Sequence, residues 1–549
     1  THIAFISDED NATAVSFSEK EIAMQAVYLA KKPDMRAFIA QDRHEKIIDA
    51  MSKIYGEEGR NLSIAQGQQF FPNFAGTDYS FPIRTAVYEE QQISDNLFGK
   101  MSIGFRYHKE LFRDSHYRTS IKWDLSAGRT QDAKDRAKMF FEELLLMIRA
   151  HWLSQPGSNL SETPVIMLTY PLAMANSSIL NEQWNSAYNR AFGASTAAKF
   201  MSMPESLAPA QQLINKGAET VEGILNVDIG GGTTDIQYYR ATSGRPIARY
   251  NSVLFAGDDL WGTGYENVHD GNRSVADNIF TRFARTELGS SRLKIGYENV
   301  DLARIRHTGK EFVNMLLRDQ QRQFLNCITE SDNGNNLPRK VVMLHYAALI
   351  YHIANWIKAD PKMAEKFPSV INFTGFGSKY IEAIFGPDPS CDKLTLYTIE
   401  LLKAFGIENI PVGFTVNFAE NPKAVTAEGA AIFARQGGST IRSVDVRHYG
   451  YADSDSMSVL RFKDIDSITP GVKKFFEDFV QAFNSVEHAG LNIPSLTPSE
   501  LEKIRDRAVT SFDQVKNYKA ASNDPGGESQ ITDSLFFWML KGSLFRLDE

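Results

Sequence analysis

ILNVDIGGGTTDIQYYR, residues 224 to 240, carries the strongest structural signal in this chain of 549 residues. Apolar residues lead into the three consecutive glycines Gly230, Gly231 and Gly232, and a second apolar run leads out. The pattern predicts a strand, a turn and a second strand. A P-loop needs a Lys-Ser/Thr pair and a following helix, and a dinucleotide fingerprint also opens a helix. Neither context is present, so the stretch indicates a glycine-rich hairpin suited to phosphate.

The residue types of this hairpin fit the binding of phosphate and a metal ion. Consecutive glycines can reach φ > 0 and have no Cβ, so their N–H groups can converge on phosphate oxygens. Asp228 ends the first strand, where a carboxylate can bind a magnesium ion through water or orient an attacking water. Thr233, Thr234 and Asp235 add hydrogen-bonding groups. The alternative is an ordinary tight hairpin, which a GGG triplet alone would also produce.

Seven further segments, in the right order, resemble motifs of one superfamily. The hairpin resembles the second phosphate motif of the actin, sugar-kinase and DnaK-type heat-shock chaperone superfamily. The other resembling segments are FPIRTAVY (81–88), IKWDLSAGR (121–129), VIMLTYPLAM (165–174), MPESLAPA (203–210), FAGDDLWG (255–262), INFTGFGSKYI (371–381) and AVTAEGAAIFA (424–434). The resemblance covers residues 81–436.

The resemblance implies roles for individual residues. ATP and Mg²⁺ would bind in a cleft between two lobes, with Asp228 as the metal ligand. Lys122 matches the lysine beside the γ-phosphate in the chaperones, and Glu205 matches the family's catalytic glutamate, so the implied catalytic residues are Asp228, Glu205 and Lys122. The implied cofactor-binding residues are Gly230, Gly231, Gly232, Thr233, Thr234, Gly257, Gly375, Phe376, Gly377 and Ser378.

The sequence departs from the family pattern in two places. Phe376 lies between Gly375 and Gly377, where the family has paired small residues, which changes the expected adenine contacts. Nothing in residues 1–80 resembles the family's first phosphate motif, an Asp-x-Gly-Thr-Thr/Ser hairpin. Because the chain begins at Thr1 without a methionine, we expect that hairpin to lie upstream and this piece to bind ATP weakly. The competing expectation is a degenerate protein that binds nucleotide poorly.

The predicted fold class is α/β, a two-lobed actin-like ATPase with ribonuclease-H-like lobes and a small C-terminal helical appendage. Residues 1–80 would form an N-terminal segment or an insertion of lobe I, and 81–223 lobe I itself. Residues 224–436 would form lobe II, with a helical nucleotide-capping subdomain and a closing interdomain helix. Residues 437–549 would form the C-terminal helical region.

Helical spacing of apolar residues locates several helices. AKDRAKMFFEELLLMIRAHWL (133–153) and VVMLHYAALIYHIANWI (341–357) have the spacing of core helices. In the C-terminal region Thr469 and Pro470 predict one helix start. Apolar residues recur after it at Val472, Phe475, Phe476, Phe479, Val480 and Phe483.

Two more features complete the C-terminal region. Thr497, Pro498 and Glu500 predict a second helix start with a capping box. That helix would bury Leu501, Ile504, Ala508 and Phe512. The final apolar segment (531–547) is a candidate docking face for a protein partner, with packing onto its own lobe as the favoured alternative.

Composition and charge exclude several classes of protein. The net charge is −8, and no basic block interleaves with aromatic residues, so the sequence predicts no nucleic-acid or anionic-lipid binding. The apolar run LLLMI (144–148) is too short to span a bilayer, so no membrane insertion is predicted. Cys327 and Cys391 lie far apart without metal-ligand spacing. Thiols of this kind are typical of a reducing compartment, which favours a cytoplasmic protein.

Several functions fit this pattern. The favoured one is a nucleotide-dependent conformational switch, a chaperone-like Mg-dependent ATP hydrolase, because Lys122 and Glu205 occur together. The alternatives are a filament-forming bacterial actin-like protein, a small-molecule kinase of the same fold and a non-hydrolysing nucleotide-binding scaffold. A kinase needs a carboxylate base, for which Asp258 and Asp259 are the candidates. His307 and Lys310 form a polar turn to which we assign no role.

Overall fold

The computed structural model describes the chain in separate stretches. They are residues 165–170, 178–192, 200–209, 223–242, 247–261, 279–289, 321–330, 337–386, 390–419, 422–435, 460–486, 495–521 and 534–541. Shorter pieces and isolated residues are described between 4 and 14, 86 and 90, 102 and 119, 134 and 148, 313 and 317, and 527 and 544. Within these stretches the fold is mixed α/β, with a mixed sheet and a helical C-terminal region.

The strands in the described stretches form four sheets. In chain order they are β1 (Ala4–Phe5), β2 (Thr13–Ala14), β3 (Ala86–Glu90), β4 (Ser102–Gly104), β5 (Tyr117–Thr119), β6 (Ile166–Tyr170), β7 (Phe200–Pro204), β8 (Ile224–Ile229), β9 (Thr234–Arg240), β10 (Ile247–Val253), β11 (Val370–Thr374) and β12 (Thr415–Phe418). The largest sheet is five-stranded, with the order β10-β9-β8-β11-β12. The smaller sheets are β4-β3-β5 and the pairs β1-β2 and β6-β7.

Most of the α-helices that the structure describes lie in the second half of the chain. In order they are α1 (Ser178–Phe192), α2 (Gly257–Trp261), α3 (Ile279–Gly289), α4 (Gln321–Glu330), α5 (Leu337–Ala359), α6 (Pro361–Ala364), α7 (Glu382–Phe385), α8 (Asp392–Ala404), α9 (Pro422–Arg435), α10 (Ile465–Ser485), α11 (Pro498–Ala521) and α12 (Leu535–Leu540). Short 3₁₀ helices cover Glu205–Leu207, Phe376–Ile381 and Phe462–Asp464.

The chain divides into two compact units. The first comprises Thr1–Tyr170, Met174–Pro204 and Lys423–Arg442, and the second comprises Pro171–Ala173, Glu205–Pro422 and Ser443–Glu549. The four domain ranges expected from the sequence stay a prediction, as does the two-lobed arrangement.

The first unit contains a β-α-β crossover. β6 and β7 pair in parallel, with α1 between them in the chain, as parallel neighbours require. α1 buries Leu180, Trp184, Ala187 and Tyr188, which recur at helical spacing. The ring of Trp184 packs edge-on against Phe141, 5.0 Å between centroids. Residues of the predicted helix 133–153 are helical wherever they are described.

The five-stranded sheet of the second unit has parallel and antiparallel neighbours. β8, β11 and β12 run parallel, while β9 and β10 extend the sheet by antiparallel pairing. The predicted strand-turn-strand is therefore confirmed as β8 and β9. One face of β8 carries the buried apolar residues Leu225, Val227 and Ile229, which alternate with Asn226 and Asp228 on the other face.

α5 is the central helix of the second unit and is buried around almost its whole circumference. Towards the sheet, Tyr346 packs against Phe373 of β11, 5.8 Å between ring centroids. Towards the C-terminal helices, Tyr351 packs against Phe479 of α10 and Phe536 of α12. A helix that is apolar all round belongs in the interior of a domain, which explains why its sequence lacks a polar stripe.

The C-terminal helices confirm one predicted helix start and correct the other. The capping box is present, because Thr497 accepts from the Glu500 N–H and Glu500 accepts from the Thr497 N–H, at 3.2 and 2.7 Å. The start at Thr469 and Pro470 is wrong: α10 begins at Ile465 and contains Pro470. Thr469 donates its hydroxyl to the Ile465 carbonyl, which is a bond made within a helix rather than at a cap.

The apolar face of the C-terminal helices is buried as the sequence indicates. The buried residues are Val472, Phe476, Phe479, Val480, Phe483, Leu501, Ile504, Ala508 and Phe512. All six residues of α12, within the candidate docking segment, are buried too. α12 contacts α10 and α11, so it packs onto its own unit. A protein partner for this region stays a prediction.

In the described part of the chain, no helix combines the length and apolar character that crossing a bilayer demands.

Candidate functional site

The glycine turn lies at the carboxyl end of β8. Asp228 pairs with Asp235 and Ile229 with Thr234, so the turn comprises Gly230 to Thr233. The Gly230 N–H donates to the Thr233 carbonyl at 2.8 Å. No hydrogen bond from the N–H of Gly231 or Gly232 is found within the described part of the chain, and Gly231 is exposed. Within the described residues, these two adjacent N–H groups are therefore candidates to donate to a ligand.

The conformation of this turn differs from the expectation of left-handed glycines. Among the described glycines, positive φ occurs at Gly223, Gly375, Gly386, Gly406, Gly413 and Gly527, and not at Gly230, Gly231 or Gly232. The turn closes without the left-handed region, so its backbone conformation does not require glycine. An added Cβ on Gly231 would lie 3.0 Å from the Asp258 carboxylate.

The segment from Phe255 to Asp259 holds the turn from one side. The Gly257 N–H donates to the Gly230 carbonyl at 3.2 Å, and the Asp258 N–H to the Gly231 carbonyl at 2.7 Å. Thr234 donates its hydroxyl to the Phe255 carbonyl at 2.6 Å and is fully buried. These bonds use carbonyls of the turn and the Thr234 hydroxyl, and none of them uses the N–H of Gly231 or Gly232.

The end of β11 approaches the turn from the other side. Gly375 has φ +77°, and a Cβ added there would lie 2.3 Å from Asp228 Oδ1 and 2.4 Å from the Ile229 carbonyl oxygen. A Cβ on Gly377 would lie 2.4 Å from the Gly230 carbonyl oxygen. Real Cβ atoms do not approach other atoms this closely, so both glycines are required by packing against the end of β8.

The remaining residues of the predicted adenosine segment are anchored locally. Ser378 is buried and donates its hydroxyl to the Gly375 carbonyl at 2.7 Å. Phe376 is half-buried. The predicted contacts of Phe376 and Ser378 with nucleotide, like those of the other cofactor-binding residues, stay predictions.

A buried polar row crosses the sheet at the level of Asp228. Register partners in neighbouring strands place Ser252, Asp235, Asp228 and Thr374 side by side on β10, β9, β8 and β11. All four are buried, with exposed fractions of 6, 1, 4 and 3%. The hydroxyls of Ser252 and Thr374 have no hydrogen-bond partner within the described part of the chain. Sequence reasoning missed the two hydroxyls, although the alternation of polar residues in each strand was a usable signal.

Of the three predicted catalytic residues, two lie in the described stretches. Asp228 is buried at the end of β8. Glu205 is half-buried and begins the 3₁₀ helix Glu205–Leu207, which contacts β8 and β9. Lys122 lies outside the described residues, and so do His307 and Lys310.

Two buried histidines on α5 lie within hydrogen-bond distance of Ala256 and Asn251, and sequence reasoning assigned them no role. His345 lies between the Ala256 carbonyl, 3.1 Å from Nε2, and the Tyr380 hydroxyl, 2.7 Å from Nδ1. His352 Nε2 lies 2.9 Å from Asn251 Oδ1. Burial lowers the pKa of both imidazoles to about 3, because the charged form loses its hydration. Both are therefore neutral at physiological pH.

In the part of the chain that is described, no group of three or more His, Cys, Asp or Glu side chains is arranged to hold a metal. Magnesium is commonly bound through one or two carboxylates, with phosphate and water completing its shell. Asp228 at the glycine turn can supply one such carboxylate.

Comparisons with known proteins assign no family. No protein-family model matches the sequence, and no curated protein matches it. Among solved structures, the chain is similar to a pCBH ParM non-polymerisable quadruple mutant, with 13% identity and a TM-score of 0.34, over 64% of this chain and 92% of that chain. Similarity at this level is too weak to carry a conclusion about function.

Proposed function

We propose that this chain binds ATP with Mg²⁺ at the carboxyl end of β8 and works as an actin-like, nucleotide-dependent switch. The observation that carries the proposal is the glycine turn that follows the buried Asp228, in which Gly231 is exposed and the N–H groups of Gly231 and Gly232 have no partner among the described residues. Ligands of open α/β sheets bind at the carboxyl ends of the strands. The turn has that location, because β8 and β11 are parallel neighbours.

The charges of the turn support phosphate together with a cation. Adjacent backbone N–H groups bind anions, but the carboxylate of Asp228 repels an unaccompanied phosphate. A divalent cation between carboxylate and phosphate removes this conflict, and Mg²⁺ prefers such oxygen ligands. Asp228 would hold the ion, directly or through water, while Gly231 and Gly232 donate to phosphate oxygens.

The roles proposed for Glu205 and Lys122 come from the sequence resemblance. The bound nucleotide would supply a phosphoanhydride bond, whose hydrolysis depends mainly on positioning and charge stabilisation. Glu205 would orient water from its 3₁₀ helix beside β8 and β9, and Lys122 would neutralise γ-phosphate charge. Loss of the γ-phosphate would remove contacts with the turn, which is the kind of change that reorders switch segments.

The test is phosphate release from ATP with no acceptor added, in the wild-type protein and in Asp228→Asn. We expect Mg-dependent release by the wild type and a loss of about 100-fold or more in the variant, the size of effect typical of a removed transition-state contact. Asp466→Asn is the matched control, because Asp466 forms an exposed ion pair with Lys516 on the C-terminal helices. Equal release by Asp228→Asn and the wild type would remove Asp228 from the mechanism.

A small-molecule kinase is the second candidate, and one observation favours it. Asp258 is half-buried next to Gly231, where it could accept a proton from an acceptor hydroxyl. Asp259 is unsuited to that role, since it is buried and accepts from the Ala256 N–H at 2.9 Å. ATP consumption that requires an added hydroxyl acceptor would identify a kinase, whereas acceptor-free release identifies a hydrolase.

A further inference from the structure

The last helix reaches the segment that holds the glycine turn. Phe537 of α12 stacks on Phe255 with ring centroids 4.3 Å apart and planes 17° apart. Phe255 also stacks on His345, at 4.2 Å and 17°. All three side chains are buried. Phe255 therefore connects the C-terminal helix to the central helix α5 in the immediate neighbourhood of the turn.

A second contact comes from the residue that follows α12. The Nζ of Lys541 lies 3.7 Å from Asp259 Oδ1, and the two side chains are only 12 and 3% exposed. The other oxygen of Asp259 accepts the Ala256 N–H. Lys541 thus offsets the charge of the carboxylate that fixes the start of α2. A buried carboxylate that loses its cation is strongly destabilised where it stands.

The segment from Phe255 to Asp259, which Phe537 and Lys541 contact, is itself hydrogen-bonded to the glycine turn. Gly257 and Asp258 follow Ala256 directly, and their N–H groups donate to the carbonyls of Gly230 and Gly231. These two bonds link the positions of Ala256 and Asp259 to the position of the glycine turn. The contacts run without a gap from Lys541 to the turn, and every residue in them belongs to the second unit.

We propose that Lys541 and Phe537 are positioning residues, through which the C-terminal segment sets the geometry of the phosphate-binding turn. The expected effect on nucleotide affinity rests on the proposed function, whereas the effect on the structure of the turn does not. Neither residue touches phosphate. Lys541 acts through the charge of Asp259, and Phe537 acts through the ring of Phe255.

The substitutions that test this inference are Lys541→Met and Lys541→Arg. Met keeps most of the side-chain volume and removes the charge, while Arg keeps the charge. Lys516→Met is the matched control, because it removes a lysine from a C-terminal ion pair, Lys516 with Asp466, that lies among surface groups. Phe537→Leu is a second, independent variant that keeps an apolar side chain and removes the stacked ring.

Two measurements are made on each variant. Amide hydrogen exchange reports the opening of the Gly257 and Asp258 N–H groups without nucleotide, and calorimetry reports the affinity for Mg·ATP. We expect faster exchange at both amides and at least a roughly 5-fold lower affinity in Lys541→Met and Phe537→Leu, a coupling of ordinary size between linked sites. Lys541→Arg should restore both properties, and Lys516→Met should change neither.

The outcomes separate this inference from the proposed function. Exchange at Gly257 and Asp258 that is unchanged in Lys541→Met and Phe537→Leu, or changed equally in Lys516→Met, overturns the positioning roles. Faster exchange with Arg rescue supports those roles even if the wild type binds no nucleotide, and in that case only the proposed function fails. Faster exchange with unchanged affinity in a protein that binds ATP overturns the link between the C-terminal segment and phosphate binding.

Discussion

Two glycine-rich turns meet at the end of β8, and they differ in how strictly the structure requires glycine. The turn Gly230–Gly232 avoids the left-handed region, and Gly231 is exposed. The turn Gly375–Gly377 is closed: Gly375 has φ +77°, and neither of its two glycines leaves room for a Cβ. We call the first the open turn, because Gly231 lies at the surface. We call the second the closed turn, because its glycines pack against Asp228, Ile229 and Gly230.

The contrast shows where the need for glycine comes from. The triplet has the more conspicuous sequence, yet the single glycines around Phe376 have the stricter requirement. Their requirement arises because β8 and β11 are parallel neighbours and the two turns pack against each other. The spacing of residues within either segment alone cannot predict that the two turns pack against each other.

The largest effect is expected at the closed turn. Gly375→Ala should lower the free energy of unfolding by roughly 3 kcal/mol or more, because a left-handed alanine costs about 1–2 kcal/mol and an overpacked interior about 1–3 kcal/mol. The shift of the urea midpoint measures it.

Gly413→Ala is the matched control for this loss. Gly413 has φ +82° and nothing within 4 Å of an added Cβ, so the backbone strain is present without the overlap. It should lose only about 1–2 kcal/mol. Equal losses of stability at Gly375 and Gly413 would mean that packing against Asp228 and Ile229 leaves room for a Cβ at Gly375.

A smaller effect is expected from the histidine that joins the two turns. His345 contacts Ala256, next to the first turn, and Tyr380, just after the second. Burial lowers its pKa from 6.5 to about 3. Between these values the unfolded chain binds more protons than the folded chain, so stability is lost as the pH falls.

His345→Gln measures this contribution. Between about pH 7.5 and about pH 5, the wild type should lose about 2 kcal/mol more stability than the variant does, since one pKa unit corresponds to about 1.4 kcal/mol. Unfolding by urea at each pH gives the difference. Parallel pH profiles of wild type and variant would show that His345 is not the proton-linked group.

The smallest effect on stability is expected at the open turn. Gly231→Ala should change the free energy of unfolding by less than about 1 kcal/mol, because the turn has no left-handed glycine and surface substitutions are mild. The nearest obstacle is the carboxylate of Asp258, at 3.0 Å. A loss as large as that of Gly375→Ala would show that both turns are closed, which would remove the contrast.

Local patterns predicted local features of this chain well. The hairpin of β8 and β9 followed from apolar runs around a glycine triplet, and the capping box of α11 followed from Thr497 and Glu500. In each case the interacting residues are close in the sequence. The predicted start of α10 is wrong. Proline is typical of a first helical turn, but α10 begins at Ile465 and has Pro470 inside it.

The features that the sequence did not predict depend on distant segments. The buried row of Ser252, Asp235, Asp228 and Thr374 needs the register of four strands. The stack of Phe537 on Phe255 joins residues that are far apart in the sequence. No spacing rule brings such residues together, because tertiary packing determines which of them meet.

The central claim is that the open turn, Gly230–Gly232, binds phosphate directly. Calorimetric titration of Mg·ATP into the wild type, Gly231→Ala and Gly231→Val tests it most directly, with unfolding in the absence of nucleotide as the check that all three are folded. We predict binding by the wild type and a stepwise loss of affinity from Ala to Val, because each added carbon fills space next to the amides. Equal affinities in three folded proteins, or no binding by the wild type, would contradict the claim.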